Sequence, residues 1–517
     1  MIKSRLIGFV LVSFWCFLAA CGSSKNIYLD SKQLDAQQKI SPDKLREDFV
    51  LLKKILEANH PGLYWYTPKD SIDWYFNTAI NGLSDSLTEF RFRNKIAWAL
   101  SNIRCGHTSV RFSKSYSKKL KHIKIAQFPL ALKTWRDSIV VVGSAFKNDS
   151  IFKRGTVITS INGLSNRQVL DSMFRFISTD GYSDNFKSQV CSLNFPGYYF
   201  NAFGPSEKYT IGYIDSTGVE RIAVINQYNP KNDTSKQSKT VAIKKQVPAE
   251  PVKRKEEPPP VIFASRSLQI DTTNSIAFMR IATFSSGKLK KFFRRSFRKI
   301  QKEHIKNLII DLRENGGGNI GNSIYLEKYL SAKPFKVADT VAANTKNIPY
   351  KKYIRPGLLY WFAMQLTTHK KEDGRAHFGY YENHLFKPKS SNHFDGRIYV
   401  LQGGFTFSAS TMLISSLKGQ SNITIVGEES GGGNYGNSAV YLPTIVLPNS
   451  KLRITMPLYR IVIDSNKQKN GRGVMPDITM PPSSVAIRQN IDLKMQTVLK
   501  IIKDSSRQLA SKKGTVQ

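Results

Sequence analysis

The run GGFTFSASTM, residues 403–412, sets serine and threonine hydroxyls directly after the apolar segment RIYVLQ, where a strand passes into a helix. Two uses of a serine fit such a junction. It can cap the helix by accepting from unpaired backbone N–H groups, or it can be a nucleophile whose developing charge those groups and the helix dipole favour. A nucleophilic hydroxyl needs a base for its proton and donors for the oxyanion that forms when it attacks a carbonyl. The backbone N–H of Ala409 is one candidate donor. The Gly316-Gly317-Gly318 turn offers others, because glycines let amides approach a substrate closely. Four histidines, His369, His377, His384 and His393, fall in one irregular stretch but lack the H-E-x-x-H spacing of a zinc site. That stretch reads as a basic, aromatic surface insertion, and neither a metal nor a cofactor is expected.

The elements that must position these groups are visible as changes of pattern. From 265 to 505 strands and helices alternate: SIAFMRIATF, NLIIDL, RIYVLQ and ITIVGEE are strands, with helices after the GGGN turn and from Ser408 to Leu417. This predicts an α/β layer structure with its site at the carboxyl ends of strands. Residues 41–110 predict a helical module. Ser41-Pro42 opens its first helix, and a capping box Ser86-Leu87-Thr88-Glu89 opens the second, which ends at Cys105-Gly106-His107-Thr108. Residues 122–228 change to short strands, and FKRGTVITSINGLSNRQVL within them resembles PDZ domains, which bind peptide termini at a sheet edge. Residues 229–261, rich in Pro, Lys, Glu and Ser, predict a flexible linker.

A chain of 517 residues is too long for one compact core, and its net charge of +39 suggests an anionic partner, either nucleic acid or a membrane surface. The N-terminus decides for the membrane. Lys3 and Arg5 precede an apolar stretch from Leu6 to Leu18, followed by Leu18-Ala19-Ala20-Cys21. That is the layout of an export signal over residues 1–20, shorter than the ~20 apolar residues of a membrane span. The cysteine resembles the lipobox of bacterial lipoproteins, which implies acylation of Cys21, a tether over 21–40 and anchoring to the cell envelope in the periplasm or at the outer membrane. Export argues against nucleic acid as a partner. Cys105 and Cys191 remain, and their spacing leaves a disulfide open.

Four segments in order resemble the tail-specific, or C-terminal processing, serine peptidases: Gly106-His107-Thr108, LIIDLRENGGGN, YVLQGGFTFSASTM with ITIVGEESGGGNYG, and GRGVMPDI. The resemblance covers nearly all of the mature chain. It implies a multidomain α/β protein whose peptidase core is of the ClpP/crotonase-like type, with Ser408 as nucleophile and Ala409 and Gly317 as oxyanion donors. Many relatives supply a Lys base where this chain has Gly433, so the Ser–Lys pair is absent. A second branch, similar to tricorn-type proteases, pairs the serine with a histidine, and His107 occupies the matching motif. Asn470 stands where that branch has an orienting Glu. The expected substrates are protein tails or unfolded segments. The alternatives are a peptide-binding pseudoprotease without activity, and an amidase or esterase acting on cell-envelope substrates.

Overall fold

The computed structural model describes residues 27–29, 38–231 and 265–514. The expected signal peptide, Cys21 and all but the first three residues of the expected linker lie outside the described residues. Helix α1 (Pro42–Asn59) starts behind Ser41, whose hydroxyl makes no capping bond. Helix α2 (Lys69–Asn81) buries only Ile72, Phe76 and Ala79, too sparse a pattern to announce itself in the sequence. Helix α3 (Glu89–Ser101) is capped by Thr88, not by the expected box from Ser86. The reason is that Leu87-Thr88 is extended and pairs with Lys39-Ile40. Glu89 turns away to accept from the Ser113 N–H at 2.6 Å and the Ser113 hydroxyl at 2.9 Å.

After strand β1 (Ser109–Arg111) comes a β-rich unit. It contains β2 (Leu130–Trp135), β3 (Ser138–Ser144), β4 (Val157–Ile161), helices α4 (Asn166–Phe174), α5 (Asn185–Leu193) and α6 (Phe195–Phe203), then β5 (Lys208–Ile214) and β6 (Glu220–Asn226). Its sheet runs β6-β5-β4-β3-β2, with Leu164-Ser165 pairing back onto β4. Asn162 and Gly163 make that turn at positive φ, and Ser165 with Gln168 forms a complete capping box for α4. Phe128, Leu132, Ile161, Leu170 and Phe195 give this unit a core of its own.

The α/β part contains β7 (Arg266–Asp271), β8 (Ile276–Ile281), α7 (Leu289–Lys302), β9 (Asn307–Asp311), α8 (Ile320–Glu327), β10 (Ile354–Arg355), α9 (Gly357–Thr367), β11 (Arg397–Gln402), α10 (Ala409–Leu417), β12 (Ile423–Gly427), β13 (Thr444–Val446), β14 (Arg453–Thr455), β15 (Ile478–Thr479) and α11 (Leu493–Gly514). The central sheet runs β7-β8-β9-β11-β12-β15, parallel from β8 onward with β7 antiparallel at its edge. Strands β9, β11 and β12 read as near-continuous apolar runs because both faces are covered. Leu308, Ile310 and Val400 meet α7, α8 and α10 on one side. Ile309, Leu401 and Val426 meet Val498 and Ile502 of α11 on the other.

The N-terminal helices do not close on themselves. Leu45, Phe76, Phe92 and Ile96 share one continuous core with Val341, Ile354, Ile445, Ile454 and Tyr459 of the α/β part. Strand β1 is the edge of a four-stranded sheet ordered β10-β13-β14-β1, so the chain two residues beyond His107 is paired to the α/β part. Buried Asp48 of α1 adds a polar stitch, accepting from the Asn449 N–H at 3.0 Å, the Ser450 N–H at 2.7 Å and the Ser450 hydroxyl at 2.6 Å. Asp48→Ala strands these donors and should lower folding stability by about 1–3 kcal/mol. Asp48→Asn, which keeps an acceptor, should lose less; denaturant midpoints at constant m-value check the pair.

Candidate active site

Strands β9 and β11 are hydrogen-bonded neighbours in parallel register, so the loops that leave their carboxyl ends, 312–319 and 403–408, run side by side. Ser408 ends the second loop at φ 54° and ψ −127°, a conformation that costs an L-residue about 1–3 kcal/mol. Its surroundings enforce it. The Phe407 N–H donates to the Asn315 carbonyl at 3.1 Å, the Thr406 hydroxyl to the Leu312 carbonyl at 2.9 Å, and the Gly431 N–H to the Thr406 carbonyl at 3.0 Å. The Ser408 hydroxyl makes no capping bond to α10. It lies 2.9 Å from Nε2 of His107.

His107 arrives on the loop after α3, and three contacts fix that loop. The Gly106 N–H donates to Asp180 Oδ1 at 2.8 Å. The His60 ring accepts the Gly62 N–H at Nδ1, 3.1 Å away, and so presents an Nε2–H to the buried Thr108 hydroxyl at 2.8 Å. The Phe407 ring lies 5.0 Å from the His107 ring and 4.7 Å from that of Phe186 on α5. A Cβ on residue 106 would meet the Phe407 ring at 2.3 Å, so glycine is required there by close approach. Burial pushes the His107 pKa down to about 4, leaving the imidazole neutral at ordinary pH. In the neutral tautomer that protonates Nδ1, the Ser408 hydroxyl donates to Nε2, the arrangement of a nucleophile and its base.

The orienting role expected of Asn470 is corrected by the structure. Asn470 is exposed, and its Oδ1 accepts the Arg472 N–H of its own turn at 2.9 Å. Nδ1 of His107 is buried and has no partner among the described residues. Asp180, which the sequence did not single out, reaches the His107 loop through the Gly106 amide. Its fully buried carboxyl is pushed up to about 7 by desolvation, opposed by the backbone amides of Gly106 and Gly433. It sits on a strap, residues 179–186, that joins all three parts: the Gly181 N–H donates to the Arg104 carbonyl at 3.1 Å and the Tyr182 N–H to the Gly471 carbonyl at 2.8 Å.

Gly317 lies against the serine, since a Cβ there would be 2.7 Å from Ser408 Cβ, and its φ of 93° suits glycine. Its N–H, however, donates to Oδ1 of Asn315 at 2.9 Å and is not free in this state. The Ala409 N–H opens the helix and has no intrahelical acceptor. Buried Asn315, a second residue the sequence reading passed over, therefore controls the glycine turn. Ser410 does not bond back to a carbonyl as its helical position suggests; its buried hydroxyl has no described partner. Gly433 has no room for a side chain, because a Cβ would fall 2.4 Å from the Gly436 carbonyl oxygen. Cys105 and Cys191 are both free and buried, which settles the open disulfide. Of the clustered histidines, His377 bonds Glu382 and Asp373, His393 bonds Asp395 and the Ser331 carbonyl, and His384 stacks on Tyr380. Among the described residues no group of three or more His, Cys, Asp or Glu side chains converges as a metal site.

A hydroxyl bonded to a neutral imidazole, beside glycine amides at the mouth of two parallel strands, is equipped for acyl transfer. Residues 275–480 match the family model for peptidase family S41. The α/β part is an S41 peptidase domain. The resemblance to tail-specific serine peptidases therefore holds at the level of the family. Among solved structures, mature CPAF superposes with a TM-score of 0.61 at 15% identity, over 90% of this chain and 98% of that one. Mature CPAF complexed with lactacystin gives 0.60 at 14% identity, over the same shares. A putative peptidase from Parabacteroides merdae ATCC 43184 gives 0.45 at 12% identity, over 90% and 97%. No curated protein sequence matches the chain. The two CPAF superpositions take in the helices and the β-rich unit as well, which lie outside the matched residues.

Asp180 gives the site a measurable pH signature. A carboxyl whose folded pKa lies above its unfolded value binds its proton more tightly when folded, so stability falls as pH rises from about 4 to about 7. Asp180→Asn should remove that slope while keeping an acceptor for the Gly106 N–H. Asp180→Ala should remove it and lose about 1–3 kcal/mol as well. Denaturation midpoints across that pH range distinguish the three proteins.

Proposed function

We propose that the chain is an exported, lipid-anchored serine peptidase that cuts protein tails or unfolded segments. Ser408 attacks the peptide carbonyl while His107 Nε2 takes the hydroxyl proton. The same proton goes to the leaving amine as the C–N bond breaks, and water, deprotonated by His107, then hydrolyses the acyl-enzyme. The Ala409 N–H receives the oxyanion together with the glycine turn, Gly317 contributing once its amide leaves Asn315. The observation that carries this reading is the 2.9 Å contact between Ser408 Oγ and His107 Nε2.

The surroundings support a peptide as substrate. A cavity of about 1020 Å³ lies between the β-rich unit and the S41 domain, lined by Lys133, Phe278, Arg313, Phe405, Glu428 and Lys494. Phe405, one of its lining residues, lies against Gly316 of the glycine turn. Its charged lining, including the Lys494–Glu428 pair at 2.7 Å, suits the polar backbone of an extended chain. We read the unit over 122–228 as PDZ-like, holding a substrate terminus by strand addition. The export signal and Cys21 support anchoring to the cell envelope.

A fluorophosphonate probe tests the chemistry. Labelling should vanish in Ser408→Ala, and hydrolysis of denatured protein should fall ~10²–10⁴-fold in His107→Ala. Full-speed hydrolysis by His107→Ala ends the proposal, and absence of labelling on folded wild type favours the pseudoprotease. Because the base must be neutral and its pKa is near 4, kcat/KM should hold its plateau below pH 6 and decline only toward pH 4. An acid limb at 6.5 or above contradicts a desolvated base.

Restoring the lysine of the other branch should not restore a catalyst. Gly433→Lys forces a Cβ against the Gly436 carbonyl and displaces the amide beside Asp180. It should therefore lower activity in the wild-type background and fail to rescue His107→Ala. Peptide turnover by the single and double variants checks this, and any rescue would show that position 433 can still reach Ser408.

A further inference from the structure

Helix α9, GLLYWFAMQLT, is built inside out. A short helix on a protein surface ordinarily buries its apolar stripe and shows polar residues to water. Here the fully buried positions are Gly357 and Met364, while Leu358 is 73% exposed, Leu359 64%, Phe362 57% and Leu366 67%. At about 100° per residue these four side chains fall within a single arc of about 100°, opposite the buried pair. No residue of the helix is charged. Four large apolar groups on one exposed arc make a continuous patch of the kind that marks an interaction surface.

Cations flank the helix along the chain. Lys351, Lys352 and Arg355 precede the helix, Lys370 follows it, and Lys346 lies just upstream. None of the five forms an ion pair with a described residue; Arg355 donates only to backbone carbonyls, and Lys351 lies over the Trp361 ring at 4.4 Å. The neighbouring Lys371 differs, being held by buried Glu382 at 2.6 Å. An apolar arc with a collar of unpaired cations and aromatic side chains is complementary to a bilayer surface carrying anionic headgroups. With 11 residues α9 is far short of the ~20 needed to span, so it fits in the plane of the interface.

We propose that α9 docks on an anionic lipid surface, Leu358, Leu359, Phe362 and Leu366 entering the acyl boundary and the flanking lysines pairing with headgroups. The surface is separate from the Ser408 site and independent of the peptidase chemistry. It also differs from an acyl anchor at Cys21, because it would hold one particular face of the folded protein to the membrane. The four-stranded sheet connects the two places: β10 leads into α9 at one edge, and β1 leads out of the His107 loop at the other.

Flotation with vesicles tests this, using the chain from residue 21 with Cys21→Ser so that no acyl group is present. The parent should float with phosphatidylcholine vesicles containing phosphatidylglycerol, and less with phosphatidylcholine alone or in high salt. Leu358→Glu/Phe362→Glu/Leu366→Glu should reduce flotation at least ~10-fold. Lys352→Glu/Lys370→Glu, both at exposed positions, should abolish the preference for the anionic lipid. Unchanged thermal midpoints establish that both variants fold. Equal partitioning of all three proteins overturns the proposal. A parent that sediments as a dimer, ignores vesicles and becomes monomeric in the triple variant also overturns it, assigning the patch to a second copy of the chain.

Discussion

The site depends on one hydrogen bond between side chains 301 residues apart, from His107 to Ser408. Neither partner can be placed by its own segment. Ser408 is held by the loop between two parallel strands, whereas His107 belongs to a loop anchored by α3 on one side and by β1 on the other. What brings them to 2.9 Å is the merger of N-terminal helices and α/β part into one apolar core. The chemistry is thus a by-product of packing, and the packing explains the electrostatics. The ring is desolvated and no carboxylate among the described residues bonds it, so its pKa moves in one direction only.

That one-sided environment distinguishes the site from a serine–histidine–carboxylate arrangement. There, an acid fixes the tautomer and stabilises the imidazolium. Here the ring is steered by shape, between Phe407 and the Gly106 loop, and by a carboxyl acting at one remove through a backbone amide. Asp180, His60 and Asn315 all work in this indirect way. Asp180 and Asn315 each hold a backbone amide, of Gly106 and of Gly317, and His60 holds the Thr108 hydroxyl beside His107.

This division also separates what was legible in the sequence from what was not. Ser408, His107 and the 316–318 turn stood out because their neighbours in sequence are part of their function. The α/β alternation was equally legible, since β9, β11 and β12 are local apolar runs bounded by glycine. Asp180 was not, because it lies in the β-rich unit and reaches the site only after the chain has folded back; nothing in STDGYSD advertises a buried acid. Asn470 misled because its place in a motif was taken for a place in space, while an Asn followed two residues later by a free N–H bonds locally first. The capping box at Ser86 failed likewise: a strand pairing with Lys39-Ile40, invisible locally, claimed the residues.

The shared core has a consequence for how the protein is made. Apolar side chains on α1 and α3 emerge early from the ribosome, yet the residues that cover them extend as far as Ile463. Until that stretch arrives, the first hundred residues pack only on one another and lack the rest of their apolar partners, and the Ser408–His107 contact does not exist. On the function proposed above, a peptidase that cuts unfolded polypeptide would otherwise be its own nearest target during synthesis. Splitting the dyad across the length of the molecule keeps the blade unassembled until the chain is nearly complete.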